Sequence, residues 1–432
     1  VTRTRLPFFY GWVVVGVAFV TMAIGVNART AFSLLFPPIL AEFGWERGVT
    51  AGAFALGFAL SMMFTPVLGR AMDWWGPRAV MPIGVLMMSA GLVGGTLVRE
   101  PWHLYPTLGV LVAGGSVVLG YTGHALFLPN WFVRRRGMAL GIAFSGVGGG
   151  AVVLFPWLQS LILRYGWRSA CWAMASLMII LVPVNVWLQR RRPAEMGLAP
   201  DGEGAGPVRR GEHADNVVDR AWASTEWTLA RAAATARFWW LAVGFFAGLF
   251  TWYAVQVHQT KYLIEIGYPA STAAWALGLV PLVGIVGQIG LGHLSDRIGR
   301  EWVWTLSAAG FAACYALLIA MRTSPTPAML YLMVVMQGAL GYGLASVWGA
   351  IPAEIFQGKH YGTVFGCLGL ASGLGSGAGP WIAGLLYDRT GSYTPAFMLA
   401  IGFCALSALA IWMASPRKVR VVAGRVARLQ RS

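Results

Sequence analysis

The chain has 432 residues, of which 57% are hydrophobic and only 11% charged, with 56 Gly, 21 Trp and a formal charge of +16. A water-soluble domain carries roughly a quarter of its residues as charges, so this composition excludes a dispersed globular protein and places the chain in lipid. A transmembrane barrel is excluded as well. Its strands would alternate over about ten residues, whereas the apolar runs here reach the ~20 residues that a helix needs to cross a bilayer.

Twelve such runs follow one another, at 10–36, 50–72, 79–98, 103–129, 137–162, 169–189, 238–263, 271–294, 302–321, 327–350, 362–386 and 394–415. Inside a bilayer each must satisfy its own backbone hydrogen bonds, which predicts twelve transmembrane helices. The first run is too long, and too poorly followed by small residues, for a cleaved signal peptide. Cys171, Cys314, Cys367 and Cys404 all fall within runs and form no CxxC pair, so they read as packing thiols rather than disulfides or metal ligands. An even number of runs puts both ends of the chain on one side. Most of the 32 Lys and Arg residues lie there, including Arg3, Arg5, Arg134 to Arg136, Arg190 to Arg192, Arg209, Arg210 and the stretch from Arg417 to Arg431. That excess makes the side cytoplasmic. The basic charge is a topology signal and not a nucleic-acid footprint, and the tail RKVRVVAGRVARLQR also suits anionic headgroups.

The chain repeats itself. GRAMDWWGPR after the second run and GHLSDRIGR after the eighth set Gly69, Asp73 and Gly76 against Gly292, Asp296 and Gly299 at an offset of 223 residues, which EFGW (from Glu42) and EIGY (from Glu265) share. Farther on, Gly137, Gly141, Gly148, Gly150 and Gly166 pair with Gly362, Gly366, Gly373, Gly375 and Gly391 at an offset of 225. Six runs separate the copies, so both cross the membrane in the same direction: two parallel six-helix repeats. The predicted organisation is a first half at 1–189, a cytoplasmic linker at 190–236, a second half at 237–416 and a basic cytoplasmic tail at 417–432.

In these motifs the chain resembles the major facilitator superfamily along nearly its whole length. GHLSDRIGR follows that family's loop signature closely, and GRAMDWWGPR follows it with Trp74 where an Arg is usual. YGWVVV (from Tyr10), EFGWERG (from Glu42), NWFVRRRGMALGIAFSGVGGG (from Asn130), YGWR (from Tyr165) and RRPAEMGLAPDG (from Arg191) are similar to its bacterial monocarboxylate and oxalate/formate branch. The resemblance implies an all-α major facilitator fold in the cytoplasmic (inner) membrane, alternating access, runs 1, 4, 7 and 10 lining the cavity, function as a monomer and no cofactor.

Each loop signature reads either as a tight turn with solvated charges or as a gate. As a gate, Gly69, Gly76, Gly292 and Gly299 permit close approach, and Asp296 pairs with an Arg, such as Arg297 or one across the interface of the halves; Asp73, Arg78 and Arg300 belong to the same gate. Asp296 would also accept from a neighbouring helix amino terminus. Such contacts hold the halves in one state and release in the other.

An ionisable group at the centre of a span costs about 2.5 kcal/mol or more, so each is a site candidate. No Asp or Glu falls mid-run. The cations are Arg29 in run 1, His124 late in run 4, and His258 and Lys261 late in run 7. A cationic cavity without carboxylates points to an anionic substrate. Arg29, flanked by Asn27, is placed either to grip a carboxylate in a two-pronged bond or to satisfy helix carbonyls. His258 suits a coupling proton or a packing role. Lys261 reads as a substrate contact or a snorkelling end residue, and Tyr121 and Tyr342 as hydrogen-bond donors or interior packing. The glycine runs Gly146 to Gly150 and Gly373 to Gly379 read as close contacts across a moving interface, not phosphate loops. Two departures weaken the usual lactate mechanism of the branch: runs 8 and 11 carry no mid-run charge, and Thr30 stands where a first-run Lys is typical. The leading reading is a secondary transporter of a small organic anion, a monocarboxylate or dicarboxylate. Its rivals are an exporter of neutral or amphiphilic compounds and a transporter-like receptor. No nucleophile or metal constellation suggests an enzyme.

Overall fold

A computed structural model describes residues 8–45, 47–202 and 216–429. Arg3, Arg5, Arg209, Arg210 and Arg431 of the topology argument, and Glu46 of EFGWERG, lie outside the described residues.

The helices are α1 (Gly11–Phe43), α2 (Arg47–Trp75), α3 (Pro77–Gly95), α4 (Pro101–Asn130), α5 (136–165), α6 (167–188), α7 (Ala236–Glu265), α8 (Ala270–Ile298), α9 (Arg300–Met321), α10 (Pro327–Ile355), α11 (Tyr361–Thr390), α12 (Thr394–Ala414) and a short α13 (Ala423–Leu429). Each predicted run corresponds to one of the first twelve. Among the described residues, nine stretches are long and apolar enough to cross a membrane, and one of them, Arg136–Leu188, holds both α5 and α6. The glycine-rich α11 and the Arg-bearing α2 complete the set. α1 runs past its predicted end at 36, through Pro37 and Pro38, and stops at Gly44 in the left-handed conformation.

The chain divides into two compact units, one of residues 1–133 with 146–208, the other of residues 134–145 with 209–432. In the first, α2 and α3 pack on α4, and α1 and α3 pack on α6. In the second, α7 lies along α11 and α12, α9 on α12, and α8 on α10. The repeat is visible in the backbone. Gly76 and Gly299, one offset apart, have φ of 71° and 112°, and Gly166 and Gly391 have 82° and 65°. Only glycine enters these angles without strain, so the turns that end α2 and α8 need it.

Four of the glycines expected to pack closely do so, but the helices they join differ from the expectation. Gly146 and Gly150 of α5 lie against the carbonyls of Phe19 and Ala23 in α1, and Gly375 and Gly379 of α11 against those of Phe246 and Phe250 in α7. A methyl group at any of the four would overlap the facing backbone. These contacts lie inside each unit, so they form seams within it and not between the two units. Equivalent glycines in the two seams are also 229 residues apart, one helical turn beyond the 225 that pairs Gly150 with Gly375. A slip of four residues keeps nearly the same helix face, which hides it from sequence registration.

α4 and α10 share an irregularity. Each contains a π-helical stretch, Tyr105–Val112 and Met336–Gly341, and α4 then breaks at Gly120, whose backbone is extended. Wide turns of this kind recur at functional positions in helices.

Candidate functional site

Within the first unit, Arg29 is half-buried near the break in α1 at Ala31. Its Nη1 donates to Ser116 Oγ of α4 at 3.2 Å, and Ser116 in turn donates to the Ala113 carbonyl at 2.7 Å. Ser116 was not singled out in the sequence. Its position in a cavity-lining run was the available signal. Asn27 is buried, with Nδ2 donating to the carbonyl of Ala23 (2.8 Å), one turn back in α1, and to that of Val147 (2.9 Å), which ties α1 to α5. Tyr121, half-buried, follows the break at Gly120 directly. His124 is fully buried, with Nδ1 3.0 Å from the Gly120 carbonyl.

Within the second unit, His258 uses both ring nitrogens. Nε2 is 2.9 Å from the Pro380 carbonyl and Nδ1 is 3.1 Å from the Tyr393 hydroxyl. A carbonyl cannot donate, so Nε2 carries the proton in the neutral ring and Nδ1 accepts from Tyr393. Lys261 is 66% exposed, 3.7 Å from Glu265 and near the ring of Tyr387, which stacks on Tyr393. Tyr342 is buried and stacked on Trp252, with ring centres 4.2 Å apart and planes at 17°. The geometry thus brings Arg29 to Ser116 and His258 to Tyr393, but does not bring Lys261 to His258.

The two loop signatures are built differently. Asp296 is buried. Its carboxylate accepts from the backbone N–H of Gly137 and of Met138, each at 3.0 Å, at the start of α5. It also pairs with Arg300 at 2.6 Å, and Arg300 Nε reaches Glu354 at 2.8 Å, with Arg136 3.9 Å from the same carboxylate oxygen. Helix-terminal N–H groups and a guanidinium are the partners a buried carboxylate requires. Arg297 points out to solvent, and Arg300 takes the place expected of it. Gly292 lies against the backbone of Gly137, where a side chain would collide. In the first unit, Asp73 pairs instead with Arg191 of the linker at 3.1 Å, and Arg191 also reaches the Asp73 carbonyl. Burial pulls the Arg191 guanidinium below its usual pKa, with Arg192 adding to this and Asp73 and Glu195 opposing it. Gly76 packs on the Arg191 side chain, and Arg78 donates to the Val186 carbonyl at 2.8 Å. Gly69 is buried near the end of α2.

Sequence reasoning missed Arg191, Glu354 and Arg136 as network members. It also missed that EFGW and YGWR meet: Trp167 and Arg168 both donate to Glu42, at 2.8 and 2.7 Å. The linker is docked at both ends. Asp201 accepts from Val133 N–H at 2.9 Å, Trp131 donates to the Arg190 carbonyl at 3.0 Å, and Trp222 donates to the Ile355 carbonyl at 2.8 Å.

The Major Facilitator Superfamily model matches residues 15–300 and again 259–429. The chain is similar to monocarboxylate transporter 13 of Bos taurus, with 26% identity over 400 residues, 91% of this chain and 87% of that protein. Monocarboxylate transporter 11 of Mus musculus is 27% identical over 421 residues, covering 94% and 88% of the two chains. In fold it is similar to the proton:xylose symporter XylE, with a TM-score of 0.76 at 13% identity over 97% of this chain and 99% of that one. The human organic anion transporter MFSD10 (TETRAN) gives 0.68 at 16%, over 94% and 100%. Twelve helices in two repeats, paired loop signatures and a family match that spans nearly all of the sequence lead to one conclusion: the chain belongs to the Major Facilitator Superfamily, as a multi-pass secondary transporter distantly related to monocarboxylate transporters 11–13.

Proposed function

We propose that this transporter moves a small organic anion, a monocarboxylate or dicarboxylate, across the cytoplasmic (inner) membrane by alternating access, with both termini cytoplasmic. The observation that carries the reading is Arg29, a guanidinium inside α1 that reaches Ser116 of α4, in a chain with no mid-span carboxylate. A bound carboxylate would offset the cost of holding that half-buried cation within the span. The printed names of the relatives support the same class, monocarboxylate for the curated proteins and organic anion for one structural neighbour. The motifs from Tyr10, Asn130 and Arg191 support the bacterial monocarboxylate and oxalate/formate branch. His258 with Tyr393 is the candidate carrier of a coupling proton, and the Asp73 and Asp296 loops are the candidate cytoplasmic gate.

A thermal-shift screen of the purified protein tests the reading, using mono- and dicarboxylates beside neutral and cationic amphiphiles. A carboxylate at 100 times its Kd should stabilise by about 2.7 kcal/mol. A charge-assisted bond contributes about 1.5–3 kcal/mol, so Arg29→Gln should weaken that carboxylate by about tenfold or more. Arg29→Lys should keep only part of the affinity, because the two-pronged geometry goes. Stabilisation by neutral amphiphiles alone, or unchanged carboxylate affinity in folded Arg29→Gln, would overturn it in favour of the exporter.

A further inference from the structure

The basic tail does not lie free. After α12 the chain turns at Ser415 and Pro416, and the Arg417 N–H donates to Glu301 Oε1, at the start of α9, at 3.0 Å. Val419 is fully buried, and its carbonyl accepts from the backbone N–H of Val218 (2.9 Å) and Asp219 (3.3 Å) in the linker. The Val421 N–H returns to the Asn216 carbonyl at 2.8 Å, which completes a short antiparallel pairing. The Arg420 guanidinium donates to the Glu354 carbonyl. Burial first, then the Arg136 cation, lower its pKa to about 10 against the pull of Glu354, so it stays charged at neutral pH. Farther along, Gly424 presses on the Arg297 backbone so closely that a side chain there would collide, and Arg425 lies beside Gly299.

These contacts converge on the turn that carries Asp296. Glu354 is held by Arg420 through its main chain and holds Arg300 through its side chain. Arg300 in turn holds Asp296, whose carboxylate accepts from Gly137 and Met138. A basic stretch destined only for headgroups would have no reason to bury valines or to send an arginine inward to a main-chain carbonyl.

We infer that the tail from Pro416 to Val426 is a working part of the second gate, with Arg420 as a positioning residue that sets Glu354 and Arg300 so that Asp296 stays on the start of α5. This rests on the gate reading of the Asp296 loop.

Hydrogen–deuterium exchange on the full chain in detergent tests it without a known substrate. Arg420→Ala, and removal of the residues from Arg420 onward, should each speed exchange of the Gly137 and Met138 amides by about threefold or more, since their protection reports local opening. Exchange in 394–414 should stay as in the wild type, and Arg420→Lys should recover most of the protection. Asp296→Asn is the control for the gate and should speed the same two amides. If Asp296→Asn does so and the tail variants do not, the tail has no part in the gate and the gate reading stands. If Asp296→Asn leaves them unchanged as well, both fall. Faster exchange through α12 in the tail variants would reduce the tail to a general stabiliser and overturn its positioning role.

Discussion

Asp73 and Asp296 occupy the same place in the two repeats, yet they are held by different means. Asp296 is paired within its own motif by Arg300, four residues on, and caps the start of α5. The residue equivalent to Arg300 in the first loop is Pro77, which has no charge to offer, and the equivalent of Arg297 is Trp74. Asp73 takes its partner from outside the repeat, Arg191 of the linker. The duplication therefore conserves a turn, set by Gly76 and Gly299, while each half has recruited its own counter-charge. The pairs also differ in burial. The Arg300 side chain is 1% exposed and the Arg191 side chain 19%.

That contrast sets an order of effects. Asp296→Asn should cost the most, about 3 kcal/mol, because it leaves a buried guanidinium short of its counter-charge. Thermal unfolding in detergent should register this as a fall of several degrees, and a wild-type melting temperature would mean that the second network is no tighter than the first. Gly150→Val and Gly379→Val should each cost about 1–3 kcal/mol through overpacking. The two should agree, since the seams are the part of the repeat that is the same in both halves, and tolerance in only one would show them to be inequivalent. Asp73→Asn should cost less than Asp296→Asn, about 1–2 kcal/mol, because the acid is as buried but its arginine retains some access to solvent. Combining it with Arg191→Gln should add little beyond either single change, and full additivity would mean that the two side chains do not act together. Arg297→Gln should be the mildest, within about 0.5 kcal/mol in the same melting assay, because the side chain faces solvent.

What the sequence made legible was what local chemistry determines. Apolar length gave the twelve spans, and the glycines at 76, 166, 299 and 391 marked backbone angles that only glycine holds easily. The acid of each loop was legible too, as a charge out of place among apolar runs. Its partners were not. Arg191 lies 118 residues from Asp73, and Glu354 lies 54 from Arg300, distances over which no periodicity carries information. Arg297 stood closer to Asp296 in sequence than Arg300, but the turn at Gly299 brings Arg300 back onto the acid. Arg29 stood out as a cation in a run of apolar residues, whereas Ser116, small and neutral, did not. The role of the glycine runs was misjudged for a related reason: spacing shows that two helices approach closely, but not which two.

The π-helical stretches in α4 and α10 have a consequence for how substitutions in these helices should be read. One extra residue in a helical turn rotates everything beyond it by about 100° relative to an uninterrupted α-helix. Ser116 follows such a stretch in α4, and Tyr342 follows one in α10. The direction in which each points is therefore a matter of residue count as well as residue identity. Losing a single residue between Tyr105 and Val112 would swing Ser116 off Arg29 while leaving every side chain in the pair intact.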